Sequence, residues 1–507
     1  MILGDPARPA ASALGYRATL DDLFRRAAAR RPQAFALLDP PNRETFADGA
    51  PRRLNYVEAD HAVSALAARL RGLGLTTDAI IAVQLPNTVD GVLALLGVLR
   101  AGMIAALLPM LWREADAAAA LARIGAKMLI TDARRSDPAP AELAMRIAAQ
   151  VFTIRHVGAF GGGLPDGVVP LDDIFTAGDI GPLPAVARED NPGRNLAVVS
   201  WEVGAEGPIP VARDHLQLIA GGLAVLLEGG LARDGVTLSA IPPASFAGLA
   251  LTVMPWLIGG GTLALHQPFA AAVFAAQCRD ERCDSVVLPA PVAAALAETG
   301  AFDGGAVKTI LALWRAPERL AAAPPWRSEA QLVDVAAFGE IGVLTARRSP
   351  GGEPKPIARG AVAVPRGLPN AVRVAEVARS ELGTLTLRGP MVPTQAFPPG
   401  AERSDAPCLT IAADGFIDTG YGCRAAPDAD ALVVTAPPPG LACVGGYRFP
   451  LRELDAWAER LGGEATLAAL PHALTGQKLA GAASNPEQAS RVLLELGCNQ
   501  LIATAFR

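Results

Sequence analysis

Between residues 20 and 131 the chain alternates helix-period patterns with short β-rich runs, and this constrains the fold more than any other feature. Leu20 to Arg30 has apolar residues at helical spacing and stops ahead of Pro32, and Ala34 to Leu38 is a short strand. A polar loop follows from Arg43 to Arg52, then an amphipathic helix from Asn55 to Leu73 closed by Gly74. Ile80–Gln84, Ile104–Leu108 and Lys127–Thr131 are strand-like, separated by helical patterns at Asp90–Arg100, which stops at Gly102, and Glu114–Ile124. Strands joined by crossover helices predict a parallel sheet covered by helices.

Leu196 to His215 (LAVVSWEVGAEGPIPVARDH) changes the pattern. It is expected to form an apolar strand, a Gly-rich loop and a helix opening at Asp214. Such a loop holds phosphate through free backbone N–H groups and the positive end of the helix dipole. Gly204, Gly207 and Pro208 suit that role, but Glu202 and Glu206 would repel a triphosphate and Ile209 offers no charge. His215 is expected to open the helix rather than to act as a base.

Hydrophobic residues make up 51% and charged residues 19% of 507, so a large core and two or more domains are expected. The net charge of -5 gives no basic face for nucleic acid. The lysines are Lys127, Lys308, Lys355 and Lys478, which limits lysine chemistry to four places. Cys278 and Cys283 lack zinc-site spacing, and the six cysteines are expected to be reduced thiols of a cytoplasmic protein. No charged segment followed by an apolar one opens the chain, so no signal peptide is expected. The run from Asp234 to Arg279 has no charge between its ends, but prolines and the Gly259–Gly261 triplet cut it below the ~20 residues a bilayer needs. It is expected to be a buried helix and strand. Residues 1–18 look like a loose lead-in, and further loops are expected at Ser136–Pro140, Gly158–Gly167, Gly178–Arg194 and Pro350–Pro369.

Several segments, taken in order, resemble the adenylate-forming superfamily of acyl-CoA synthetases, adenylation domains and luciferases. They are LNYVEADHAVSALAARLRGLGL, the LPN turn at Leu85–Asn87, GAKMLITD, IPPASFAGLALTVMPWLIGGGTLAL, ELGTLTLRGPMVP, DGFIDTGYGCR and GGYRFPLRELDAW. The resemblance implies an α/β fold with a large N-terminal domain of helix-covered sheets over residues 1–423. A small, shortened α+β C-terminal lobe would follow over 424–507, with a hinge near Gly422 to Asp430. It also implies activation of a carboxylic acid with ATP to acyl-AMP, with Mg²⁺, and transfer to CoA.

Residue by residue, the resemblance is uneven. The phosphate loop has Ile209 at the lysine position. Phe338 and Gly339 match the motif that stacks on adenine, and Glu340 matches its magnesium ligand. The ribose motif places Tyr421 where an Asp is usual, with Asp418 on the other face of its strand and Arg424 matching the arginine that follows. Ala436–Gly440 (APPPG) is stiff and uncharged where a hinge Arg is usual. Lys478 is the one lysine available for the C-terminal catalytic position, and LIATAFR carries no matching loop. Gly445, Gly446, Tyr447 and Arg448 match the turn that lines the pantetheine tunnel, and Ser245, Phe246 and Gly248 match an acyl-pocket wall. Two functions follow: an acid–CoA ligase with weak or lost adenylation, or a non-catalytic protein that binds an acyl group, CoA or a protein partner. A cation at Arg213 or Arg448 reaching the phosphate site would favour the first. Closure of the site by Trp201, Glu202 or Glu206 would favour the second.

Overall fold

The computed structural model describes residues 17–506 apart from 134–138, 179–180, 182, 189, 305–306, 367–370 and 428. Residues 1–16 of the expected lead-in and parts of three of the expected loops lie outside the described residues. The early alternation folds as its period dictates. Tyr56–Gly72 is helical, with Asn55 and Glu58 exchanging side-chain to backbone bonds at its start and Gly74 at φ +78° just past its end. Val89–Arg100 and Glu114–Ile124 are the next helices.

Two mainly parallel sheets form the large domain. One runs in the order Val168–Pro170, His156–Phe160, Met128–Asp132, Ile80–Val83, Ile104–Leu107, Leu196–Gly204 and Gly207–Asp214. The other has eight strands. From one edge these are Gly342–Arg347, Gln331–Phe338, Thr309–Trp314, Ser285–Pro289, Val236–Ser239, Thr262–Leu265, Phe35–Leu38 and Arg53–Asn55. Between the sheets, the apolar helix His215–Gly229 packs on Phe246–Leu251 and Val253–Gly259. The charge-free run is thus buried helix and strand, and no helix among the described residues is long and apolar enough to cross a membrane. The expected loop at Gly158–Gly167 is shorter, because residues 158–160 extend the His156–Phe160 strand.

A six-stranded antiparallel sheet follows, containing Ile417–Ala425 and Ala431–Ala436. The last sheet has four antiparallel strands, Leu441–Val444, Tyr447–Pro450, Thr466–His472 and Gly476–Ala482, covered by Leu451–Arg460 and Pro486–Glu495. A boundary at 423/424 would cut the Ile417–Ala425 strand. The change of sheet comes at Pro437–Gly440, and we propose the lobe division there.

Candidate functional site

The expected strand, phosphate loop and helix are instead a β-hairpin followed by a helix. Gly204 pairs with Gly207 across a two-residue turn, and the second strand runs through Arg213. Gly207, the residue that closes the turn, has φ +111°, a conformation that favours glycine. The helix from His215 begins eight residues after the turn, and its first N–H groups are already satisfied. Gln217 N donates to Asp214 at 2.7 Å, and Asp214 N donates to the Gln217 side chain at 3.0 Å. The start of the helix therefore lies at the far end of the second strand from the turn and is capped by its own Asp214. His215 does open the helix; burial lowers its pKa to about 4, so it stays neutral and its Nδ1 accepts from Leu20 N at 3.2 Å.

A cavity of about 320 Å³ lies where both large sheets meet the C-terminal lobe. Its floor is the carboxyl ends of the parallel strands Val236–Ser239, Ser285–Pro289 and Thr309–Trp314. The first two flank the point where strand order reverses, the usual place for a ligand in an open α/β sheet. The hairpin contributes Trp201, Glu202 and Val203, and the small lobe contributes Gly445 to Arg448 with Leu474 and Thr475.

Charged groups fill the part of the cavity nearest the hairpin. Arg448 pairs with Glu202, and its other nitrogen donates to the Tyr421 hydroxyl at 2.6 Å. Burial works against the charge on Arg448, but Glu202 and Tyr421 outweigh it and its pKa is raised. Glu202 also accepts from Glu340 N at 2.6 Å. A side chain at position 339 would put its Cβ 1.8 Å from the Glu202 carboxylate, so only glycine, here at φ +56°, fits. Burial pushes the Tyr421 phenol up to about 12.

Glu340 is buried, and that burial raises its pKa against the pull of Arg213 and a bond from Ser200. Its carboxylate accepts from Phe246 N at 2.7 Å. This arrangement does not suit Mg²⁺, which needs ionised oxygens free to ligate. The described residues include no cluster of three His, Cys, Asp or Glu side chains able to hold a metal. Arg213 is turned away from the cavity. It donates to the carbonyls of Glu340 and of Ile341, the latter at 3.1 Å, and its guanidinium lies 3.8 Å from the Phe246 ring centre. Burial lowers its pKa to about 10.

The remaining candidates from the sequence divide sharply by position. Ser245, Gly339, Glu340 and Gly445–Arg448 line the cavity. Phe338 sits behind its wall, edge-on to Tyr421 at 5.4 Å, and is not placed to stack on a base. Phe246 is core, and Gly248 packs against Pro242, whose oxygen a Cβ would approach to 2.3 Å. Asp418 is exposed, accepting from Thr384 Oγ1 at 2.7 Å and Gly420 N at 2.8 Å, opposite in facing to buried Tyr421. Arg424 lies on the surface. Lys478 is exposed on a C-terminal strand, paired with Leu470, and does not line the cavity.

Sequence reasoning missed Trp314, Arg315 and Arg319, all in the cavity wall. The signal was available: WRAPER follows an apolar run, TILAL, and residues at the carboxyl end of a parallel strand face the ligand crevice.

The model of the AMP-binding enzyme family matches residues 24–392. The chain is 26% identical over 473 residues to a 2-hydroxy-7-methoxy-5-methyl-1-naphthoate–CoA ligase of Streptomyces carzinostaticus, covering 89% of this chain and 81% of the relative. It is 27% identical over 471 residues to a salicyl-AMP ligase / salicyl-S-ArCP synthetase of Mycobacterium tuberculosis, covering 88% and 79%. Among solved structures, the fold is similar to an amide bond synthetase from Marinactinospora thermotolerans, with TM-score 0.69, 19% identity and 94% of each chain covered. By the family match across most of its length, the chain belongs to the AMP-binding enzymes of the adenylate-forming superfamily.

Proposed function

We propose that this chain is an acid–CoA ligase homologue whose adenylation is weak or lost, and that it acts by binding a carboxylic acid or acyl thioester between its lobes. The observation that carries this reading is the Arg448–Glu202–Tyr421 network. It occupies the meeting point of the hairpin, the ribose-position residue and the Gly339–Glu340 turn. Adenylation develops negative charge on the α-phosphate and needs uncompensated cations there. Arg448 reaches this place but is already neutralised by Glu202, and Arg213 lies outside the cavity wall, donating to the carbonyls of Glu340 and Ile341. Losing one such cation typically costs about 10²–10³ in rate. Here the loop lysine position is Ile209 and Lys478 lies elsewhere. ATP, AMP and CoA are the family's ligands; the Gly445–Arg448 turn favours CoA over ATP here. The curated relatives act on aromatic acids, as their names state, and we carry that substrate class over to this cavity. A cytoplasmic protein with a protein partner fits the same reading.

Retained ligase activity is the second reading, favoured by Arg315, a cation that lines the same cavity as Glu340. Calorimetric titration of the full chain with Mg-ATP, with and without aromatic and fatty acids, separates the two when paired with a pyrophosphate-release assay. The expected result is no heat from millimolar ATP and no pyrophosphate. Acid-dependent pyrophosphate release would overturn the first reading.

A further inference from the structure

Charge balance in the cavity identifies the kind of ligand it suits. Glu202 is paired with Arg448, and the Glu340 carboxylate is held by Phe246 N and Ser200. Glu318 lies near Arg319 and Arg448 outside the cavity wall, with burial raising its pKa. Arg319 donates to the Ala473 carbonyl at 2.7 Å. Arg315 is different. Its guanidinium donates to Ser245 Oγ at 3.0 Å, and among the described residues it has no carboxylate partner. A half-buried guanidinium with most of its donors unused favours an anion, and its planar fork matches a carboxylate.

The guanidinium is also held in place. Its Cδ lies where a side chain on Gly446 would go, 2.0 Å from the ideal Cβ, and Gly446 has φ +95°. Around it the walls are flat and apolar. Trp112 and Trp201 pack with ring centres 5.2 Å apart, and Trp314 is fixed by its indole N–H donating to Asp334 at 2.8 Å. The Trp201 indole N–H, buried in the same wall, has no protein acceptor among the described residues. The cavity volume of about 320 Å³ suits a small ring system.

We propose that Arg315, with the Ser245 hydroxyl, is the anion anchor of this cavity, and that the ligand is an aromatic monocarboxylate with its ring against Trp201 and Trp314. This deepens the reading of the cavity as an acid-binding site and rests on it. Arg315 is a binding residue here.

The test is calorimetric titration of the full chain, without ATP, using 2-naphthoate and its neutral counterpart 2-naphthamide, with tryptophan fluorescence read in parallel. The acid is expected to bind at least tenfold more tightly than the amide. Arg315→Gln should weaken the acid by about 10- to 100-fold and abolish that preference. Gly446→Ala keeps the guanidinium but displaces it, and should have the same effect, with circular dichroism confirming that both variants fold. The proposal is overturned by equal binding of acid and amide, by unchanged affinity in Arg315→Gln, or by no naphthoate binding to folded protein at millimolar concentration. Displacement of naphthoate by lower concentrations of inorganic phosphate would also overturn it, by assigning the anchor to phosphate. Failure of the adenylation reading is separate: pyrophosphate release alongside acid-over-amide binding would sink that reading and leave the Arg315 assignment standing.

Discussion

Two buried charge networks stand in different parts of the molecule, and they serve different ends. In the first, Arg43 pairs with Asp39 at 2.6 Å and with Asp90, and Arg52 reaches Asp90 at 3.1 Å. Asp39 further accepts from Val89 N at 2.7 Å and Arg52 N at 2.9 Å. Every charge has a partner, and the adjoining space is only about 10 Å³. In the second, Arg448, Glu202, Tyr421 and Glu340 join two lobes and border a cavity of about 320 Å³. The first network ties a loop and a helix inside one domain. The second makes a wall that another molecule can share. Burial of charge alone therefore does not mark a site; burial beside empty space and across a lobe boundary does.

Removing the centre of the first network should have the largest effect. Arg43→Met leaves Asp39 and Asp90 buried without a counter-charge, and should cost about 3–5 kcal/mol of global stability in denaturant titration. Ligand binding at temperatures where the variant is folded should be unchanged. A loss of only a few tenths would show that the two carboxyl groups simply take up protons.

Arg448→Gln tests the second network and should act locally. Its pair is slightly more open, with side-chain exposures of 11% and 10%, so the loss should be about 2–3 kcal/mol. It should appear as release of the small lobe, read as faster amide exchange in the strands Leu441–Val444 and Tyr447–Pro450, while the large domain keeps its own melting transition. A single global loss of stability would erase the distinction between the two networks.

A pH effect of intermediate size should come from the same lobe boundary. Asp116, in the first turn of its helix, has its pKa raised to about 7, first by burial and then by Glu453 of the small lobe. The folded state holds this proton more tightly than the unfolded one. Stability should therefore be complete below about pH 4 and lost as pH rises through 7, by on the order of 1–2 kcal/mol after solvent screening. Asp116→Asn should flatten the profile of melting temperature between pH 5 and 8; an unaltered slope would place the titrating group elsewhere. Least of all, Arg452→Ala breaks an exposed pair with Glu206, with side chains 55% and 67% accessible, and should change stability by no more than about 0.5 kcal/mol.

Much of the fold was legible because its signals are periodic and local. The amphipathic period from Asn55 to Leu73, the apolar run at 80–84 and the glycine stops each report on their own few residues. The hairpin escapes such a reading because Gly204 and Gly207 permit a loop as readily as a tight turn, and only pairing with the neighbouring strand decides. The site was half legible. Tyr421 and Arg448 stand out in the sequence, yet their contact spans 27 residues and that of Arg448 with Glu202 spans 246. Arg315 does not stand out, because nothing within its own stretch distinguishes a cavity arginine from a surface one; the strand order that aims it into the crevice is a property of the whole sheet.

A cavity with walls from both lobes has a thermodynamic consequence. Whatever occupies it gains contacts only when the lobes are together, so occupancy and docking are linked reciprocally. A ligand at a hundred times its dissociation constant would hold the lobes together by about 2.7 kcal/mol. Conversely, a molecule that binds the docked lobes more tightly than the separated ones would raise ligand affinity by the factor by which it favours docking, without touching the cavity.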